Sequence, residues 1–273
     1  MDITGNAFVT GGGSGIGKAV CLALAKEGAS GILVVDMNPK AAEATVVEVT
    51  SVASNPDFRA EAFQADISIE DSVKMAVAYM VKSFGRIDYG VHCAGIIEDN
   101  FVPVDQISFP VFQATIFSQV HGTFLVIGQI LAAMKMQEIK LKDSANPQLG
   151  GSRGSIAVLG SILSHTTVPG MGAYTAGKHA ILGICRTAAV ESASIGIRVN
   201  CICPTFVDTP MYYKTTEAHP GFEVGGPMQG LPMDRICTPK EVADTILFLC
   251  SPRSSFITGV ALNVDGGHTL APF

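Results

Sequence analysis

The chain has 273 residues, 48% of them hydrophobic and only 15% charged, with a net charge of −6 and a mean hydropathy of +0.37. That is more apolar than a typical soluble domain needs, so a sheet covered on both faces, or a subunit interface, is expected to take up the surplus. The acidic balance and the lack of any Lys/Arg run exclude a polyanion-binding surface, and neither nucleic acid nor membrane is an expected partner.

Short β-branched runs alternate with longer segments of helical period, the pattern of βαβ units around a parallel sheet. Strands are expected at residues 7–10, 31–36, 58–64, 87–92, 154–159, 197–202 and 260–264. Between them Ile16, Ala19, Val20 and Ala23 recur at i, i+3, i+4 and i+7, and Val73, Ala76, Val77 and Met80 repeat the spacing, marking sheet-packing helices. Further helices are expected at 104–136, 172–194 and 239–249. The fold class this implies is α/β: one Rossmann-type domain over residues 1–273, a doubly wound parallel sheet of about seven strands with helices on both faces.

Two segments break the rhythm. Residues 140–153, with Asn146-Pro147 and Gly150-Gly151, read as a polar surface excursion. Residues 205–235, rich in Pro, Gly, Met and aromatics, follow a strand end and read as a substrate lid. The seven cysteines form no Cys-x-x-Cys pair, so buried thiols are expected rather than disulfides or zinc. No charged leader with an apolar core opens the chain, and no apolar stretch is seen to approach the roughly 20 residues that span a bilayer; a cytoplasmic location is expected.

The run Thr10-Gly11-Gly12-Gly13-Ser14-Gly15-Ile16-Gly17 falls between the first strand and first helix. There the backbone must approach a pyrophosphate closely and a helix N-terminus can face it. The second strand ends in Asp36, nineteen residues beyond Gly17, close to the spacing of a ribose-binding carboxylate. Asp36 would repel a 2′-phosphate, and no Lys or Arg immediately follows it or sits in the loop, so the cofactor expected is NAD rather than NADP. Tyr174 and Lys178 share a helical face, and Ser161 closes the fifth strand thirteen residues before Tyr174. A phenol is a poor acid–base catalyst near neutral pH unless fixed positive charge favours its ionised form; Lys178 would supply that charge, and Ser161 would hold the reacting oxygen.

Taken in order, Thr10 to Gly17, Asp66-Ile67, Ala94-Gly95, Ser161, Tyr174, Lys178 and Pro204 through Val207, Thr209 and Pro210 resemble the short-chain dehydrogenase/reductase family over nearly the whole chain. The resemblance implies a Ser161/Tyr174/Lys178 mechanism. It also implies cofactor contacts by Gly11, Ser14, Gly15, Ile16, Gly17, Asp66, Ile67, Ala94, Gly95, Tyr174 and Pro204, with Lys178 on the nicotinamide ribose and Val207 and Thr209 on the carboxamide. Subunits of such proteins commonly pair through the helices expected at 104–136 and 172–194, so a homodimer or homotetramer is implied. Two positions depart from the pattern. His92 stands where relatives carry Asn in an Asn-x-Ala-Gly turn, and reads as a structural imidazole. Gln119 stands where they carry an Asn that helps hold a proton-relaying water.

Around the nicotinamide the fold would gather Ile96, Ile97, Phe101, Ile162, His165, Val168, Met171, Met211, Tyr212, Tyr213, Phe222, Met228 and Met233. A pocket of methionines and aromatics suits a small but bulky hydrophobic substrate, a terpenoid, steroid-like or polyketide alcohol. The function expected is NAD-dependent interconversion of a secondary alcohol and a ketone. Gln119 leaves open a redox-neutral isomerase, epimerase or dehydratase, and a Rossmann fold leaves open a non-catalytic nucleotide sensor, a class that usually lacks the Tyr and Lys present here.

Overall fold

The computed structural model describes residues 3–98, 101–141, 150–218 and 231–270. Strands β1 (Asn6–Thr10), β2 (Gly31–Asp36), β3 (Arg59–Gln64), β4 (Tyr89–His92), β7 (Gly154–Leu159), β8 (Ile197–Pro204) and β9 (Ala261–Val264) form one sheet in the order β3-β2-β1-β4-β7-β8-β9. Every pairing in it is parallel. The order reverses between β1 and β4, which opens a crevice at the carboxyl ends of the strands. All seven expected strands are present, their ends shifted by two residues at most.

Near-continuous apolar runs make inner strands such as β1 and β2, buried on both faces, whereas the edge strands β3 and β9 are only partly buried. Phe8, Leu33 and Val35 point to one layer, where they meet α3 (Glu70–Phe84), α5 (Gly122–Lys135) and α6 (Gly172–Ala193) through Met80, Ile130 and Ile181. Their neighbours Ala7, Val9, Ile32 and Val34 point to the other, against α1 (Gly15–Lys26), α2 (Pro39–Val52) and α8 (Pro239–Cys250) through Leu24, Val49 and Ile246. Burying such a side chain stabilises the fold by about 1.5–3 kcal/mol. Local signals start and stop the helices. Asn38 caps α2 with Pro39 in its first turn; Thr238 and Glu241 form a capping box on α8, with Arg235 holding the Glu241 carboxyl down to about 2; α3 stops at Gly85, whose φ of +81° favours glycine.

The helix expected at 104–136 is regular only in part. Its start is a separate 3₁₀ turn, Val104–Gln106, entered from Pro103, and α4 (Phe109–Ile116) begins anew with Pro110 in its first turn, because proline has no N–H to bond back to a preceding turn and fits only where a helix starts. A π turn, Phe117–His121, then joins α4 to α5. The whole run, Phe109–Lys135, is long and apolar enough by length and composition to cross a membrane, with a mean hydropathy of 1.5 in its most apolar window. This corrects the expectation that no stretch approaches that length; its inner face packs on the sheet through Leu125, Val126, Ile127, Ile130 and Met134.

The excursion at 140–153 holds a short antiparallel pair, β5 (Lys140–Leu141) with β6 (Gly151–Ser152), and its residues 142–149 lie outside the described residues. The expected lid begins with α7 (Pro210–Ala218), while its residues 219–230 also lie outside them.

Candidate active site

The glycine loop follows β1 because only glycine tolerates its geometry. Gly11 has φ +68°, and a Cβ there would stand 2.8 Å from the Ala94 nitrogen; a Cβ on Gly17 would stand 2.1 Å from the Gly11 carbonyl. Ser14 begins α1 without a side-chain cap, so the first N–H groups of that helix face the cleft. At the end of β2 the Asp36 carboxylate accepts from the N–H of Gly13 (2.9 Å) and of Asn38 (2.9 Å), which locks it at the loop's edge. Asp66 is likewise held, accepting from the Ser68 N–H (2.8 Å) and hydroxyl (2.7 Å). Together Gly11, Ser14, Gly15, Ile16, Gly17, Asp36, Asp66, Ile67, Ala94, Gly95 and Thr209 line one cleft of about 620 Å³. Side-chain-free backbone, an open helix end and an anchored carboxylate fit the pyrophosphate and ribose of a dinucleotide.

A second, apolar pocket of about 170 Å³ shares Ile16, Leu159, Thr209 and Met211 with the cleft. Ser161 and Tyr174 line it, as do Pro204 and Val207 from the end of β8 and just beyond. Ser161 caps the short turn Ile162–Ser164: its Oγ accepts from the Leu163 N–H at 3.2 Å, leaving the hydroxyl hydrogen to donate elsewhere. Lys178, one turn after Tyr174 on α6, lies beneath the pocket and is 5% exposed. Its ammonium donates to the Leu159 carbonyl (3.0 Å) and stands 5.3 Å from the centre of the Tyr174 ring. Ser161, Tyr174 and Lys178, from one strand end and one helix, therefore converge beside the cleft.

His92 is fully enclosed. Its Nδ1 meets the Thr10 hydroxyl at 2.7 Å and its Nε2 the Thr123 hydroxyl at 3.0 Å, while Thr123 donates to the Gln119 carbonyl at 2.5 Å. Because Thr123 spends its hydrogen on Gln119, Nε2 must be the protonated nitrogen and Nδ1 the acceptor from Thr10. Burial, with the Lys178 charge as a smaller contribution, pushes the His92 pKa down to about 3. The ring thus bridges the glycine loop to the first turn of α5 as a neutral imidazole. Gln119 is buried in that turn; its amide donates to the Ile96 carbonyl and its side chain packs on Gly95 and Gly177.

Of the apolar side chains expected round the nicotinamide, Ile97, Ile162, Val168, Met171, Met211 and Tyr212 line the pocket. Ile96 lines the cleft instead, and Phe101 packs behind Ile162 and Met171. His165 is exposed, while Tyr213 and Met233 do not line the pocket; Phe222 and Met228 lie outside the described residues. Sequence reasoning missed Leu163, Phe206 and His268, which all line it. His268 is brought back by Gly266 and Gly267 at positive φ, and its Nδ1 meets the Thr205 hydroxyl at 2.6 Å. A Gly-Gly-His run just past the last strand was the available signal. Glu98 was also missed: it is 5% exposed and accepts from the Tyr174 N–H at 3.1 Å.

The chain is similar to known proteins along nearly its full length. A family model described as enoyl-(acyl carrier protein) reductase matches residues 11–269. Short-chain dehydrogenase fogB of Aspergillus ruber is 46% identical over 278 residues, covering 99% of this chain and 98% of that protein. The crystal structure of levodione reductase superposes with a TM-score of 0.87 at 28% identity, covering 99% of each chain. That of 3-ketoacyl-(acyl-carrier-protein) reductase from Brucella melitensis complexed with NADH gives 0.82 at 28% identity, covering 98% of this chain and 100% of that one.

Proposed function

The chain belongs to the short-chain dehydrogenase/reductase family, a family of oxidoreductases that bind a nicotinamide cofactor, and from that membership we propose that it uses NAD to interconvert a secondary alcohol and a ketone on a bulky hydrophobic substrate. The observation that carries the reading is the shared wall: Ser161 and Tyr174 open on an apolar pocket joined to the glycine cleft through Ile16, Leu159, Thr209 and Met211.

When bound, the dinucleotide accepts or supplies the hydride. The remaining work falls to the chain's own residues. Ser161, whose Oγ already accepts from Leu163, donates its hydrogen to the substrate oxygen and orients it. Tyr174 takes the alcohol proton during oxidation and returns it during reduction. Lys178, held on the Leu159 carbonyl beneath the Tyr174 ring, keeps a positive charge where phenolate must form. Asp36 accepts from the ribose hydroxyls and repels a 2′-phosphate; Met37 follows it, and the loop carries no Lys or Arg, which supports NAD over NADP. Pro204, Val207 and Thr209 wall the nicotinamide end.

The aliphatic and aromatic wall, Ile97, Leu163, Val168, Met171, Phe206 and Tyr212, supports a terpenoid, steroid-like or polyketide alcohol over a sugar. Exposed Phe109 and Phe124 on the α4–α5 run and Val190 on α6 support pairing through these helices into a homodimer or homotetramer. Seven free cysteines support a reducing, cytoplasmic setting. The purified protein given NAD and a panel of secondary alcohols, among them 1-tetralol and cyclododecanol, is expected to form NADH, and far less NADPH from NADP. Turnover of substrate without NADH would replace this reading with a redox-neutral one.

A further inference from the structure

Tyr174 is the third residue of α6, so its backbone N–H is one of the donors that a helix leaves unsatisfied in its first turn. The residue before the helix, Met171, has no side-chain acceptor to offer. α8 solves the same problem locally with Thr238 and Glu241. α6 instead receives a carboxylate from 76 residues away: Glu98 Oε1 accepts from the Tyr174 N–H at 3.1 Å, and the Ala173 N–H also turns to this carboxylate.

This arrangement is expensive for capping alone. Glu98 is 5% exposed, and its Oε2 has no hydrogen-bond partner among the described residues. Burial raises its pKa, against the pull of backbone N–H bonds that include those of Tyr174 and Ala173. A Ser at position 171 would cap the helix with about 1 kcal/mol of stabilisation and no buried carboxylate. What a local cap cannot do is join two parts of the site. Glu98 ends the segment that supplies Ala94, Gly95 and Ile96 to the cleft and Ile97 to the apolar pocket. Its side chain ties that segment directly to the first turn of the helix that carries the phenol.

We propose that Glu98 is a positioning residue: by holding the Tyr174 backbone to the loop that walls the cofactor cleft, it keeps the phenol in register with the reacting carbon. This rests on Tyr174 being the proton-transfer residue. In-line proton transfer is sensitive to displacement, since about 1 Å of misplacement costs on the order of a hundredfold in rate. Neither Glu98 nor Tyr174 lines the cleft, so the KM for NAD should change little.

The test uses the full chain, NAD and 1-tetralol, with melting temperature and amide exchange measured beside the kinetics. Glu98→Ala should lower kcat by about tenfold or more while the KM for NAD stays within about twofold, and the Tyr174 amide should lose its protection from exchange. Glu98→Gln, which keeps an oxygen for the same N–H groups, should hold kcat within about threefold of the parent. Combining Glu98→Ala with Tyr174→Phe should cost no more than Tyr174→Phe alone, because Glu98 acts through that side chain. A lower melting temperature at unchanged kcat would reduce Glu98 to a stabilising cap and overturn the proposal, as would equal damage from Ala and Gln. If Glu98→Ala does not fold, Glu98→Asp takes its place: the shorter acid should lower kcat with the KM for NAD intact, and parental kcat in both Asp and Gln variants overturns the idea. An active Tyr174→Phe enzyme would instead bring down the reading of Tyr174; an inactive one beside a fully active Glu98→Ala enzyme would bring down the role of Glu98 alone.

Discussion

The nucleotide cleft takes most of its wall from residues 11–17, 35–37, 65–68 and 93–96, four turns at the carboxyl ends of β1 to β4. The apolar pocket takes most of its wall from residues 159–163 and 204–212, at the ends of the paired strands β7 and β8, and from Val168 to Tyr174 and His268, brought there by the packing of α6 and the chain end. The first is made mainly of backbone and short side chains at strand ends, so its shape follows from the sheet. The second is made of large side chains on separate elements, so its shape follows from how those elements settle against one another. Recognition of the constant part of the reaction, the cofactor, therefore sits on the rigid half, and recognition of the variable part sits on the half that substitutions can reshape without disturbing the sheet.

The sharpest way to break this comparison is Tyr174→Phe, which leaves the cleft untouched and removes the proposed proton carrier. Turnover of 1-tetralol should fall by about a thousandfold with the KM for NAD nearly unchanged, read by steady-state kinetics. Next in size is Gly17→Ala, a change confined to the cleft. The new Cβ would meet the Gly11 carbonyl at 2.1 Å, so the loop must shift. NAD titration should show binding weakened by about a hundredfold, with a loss of about 1–3 kcal/mol of stability in denaturant melts. Asp36→Ala should leave the pocket as it is and cut the preference for NAD over NADP by about tenfold or more, the value of charge-assisted bonds to ribose. An unaltered ratio of kcat/KM values would remove Asp36 from cofactor choice.

The smallest effect tests His92, whose ring links the end of β1 to α5. His92 stays neutral in the fold until about pH 3, whereas in the unfolded chain it takes a proton near 6.5. The unfolded state then binds the extra proton, so stability falls as pH drops through that window, by about 2 kcal/mol at about pH 5. Melting temperatures of a His92→Asn variant should lose this part of their slope between about pH 6.5 and 5. A slope identical to the parent's would mean that His92 is accessible to protons in the folded state.

Strands such as β1 and β2 were legible because successive residues, Phe8 and Val9 for example, are both apolar, the mark of a strand buried on two faces. The break at Pro103 and Pro110 was written in the sequence too, but the strong apolar period running through it hid the two prolines' effect. The π turn was not legible, since no residue between Phe117 and His121 is a helix breaker. Glu98 looked like any loop acid, because the N–H groups it serves lie 76 residues away.

By itself the sequence determined the strands, the glycine loop and the spacing of Tyr174 and Lys178, because each depends on dihedral freedom or periodicity within a few neighbouring residues. Only the tertiary structure decided that His268 and Phe206 wall the pocket, that His92 spans Thr10 and Thr123, and that Glu98 holds the helix of Tyr174. Those contacts join residues far apart in the chain, and no local pattern encodes a partner that only the folded sheet brings within hydrogen-bond reach.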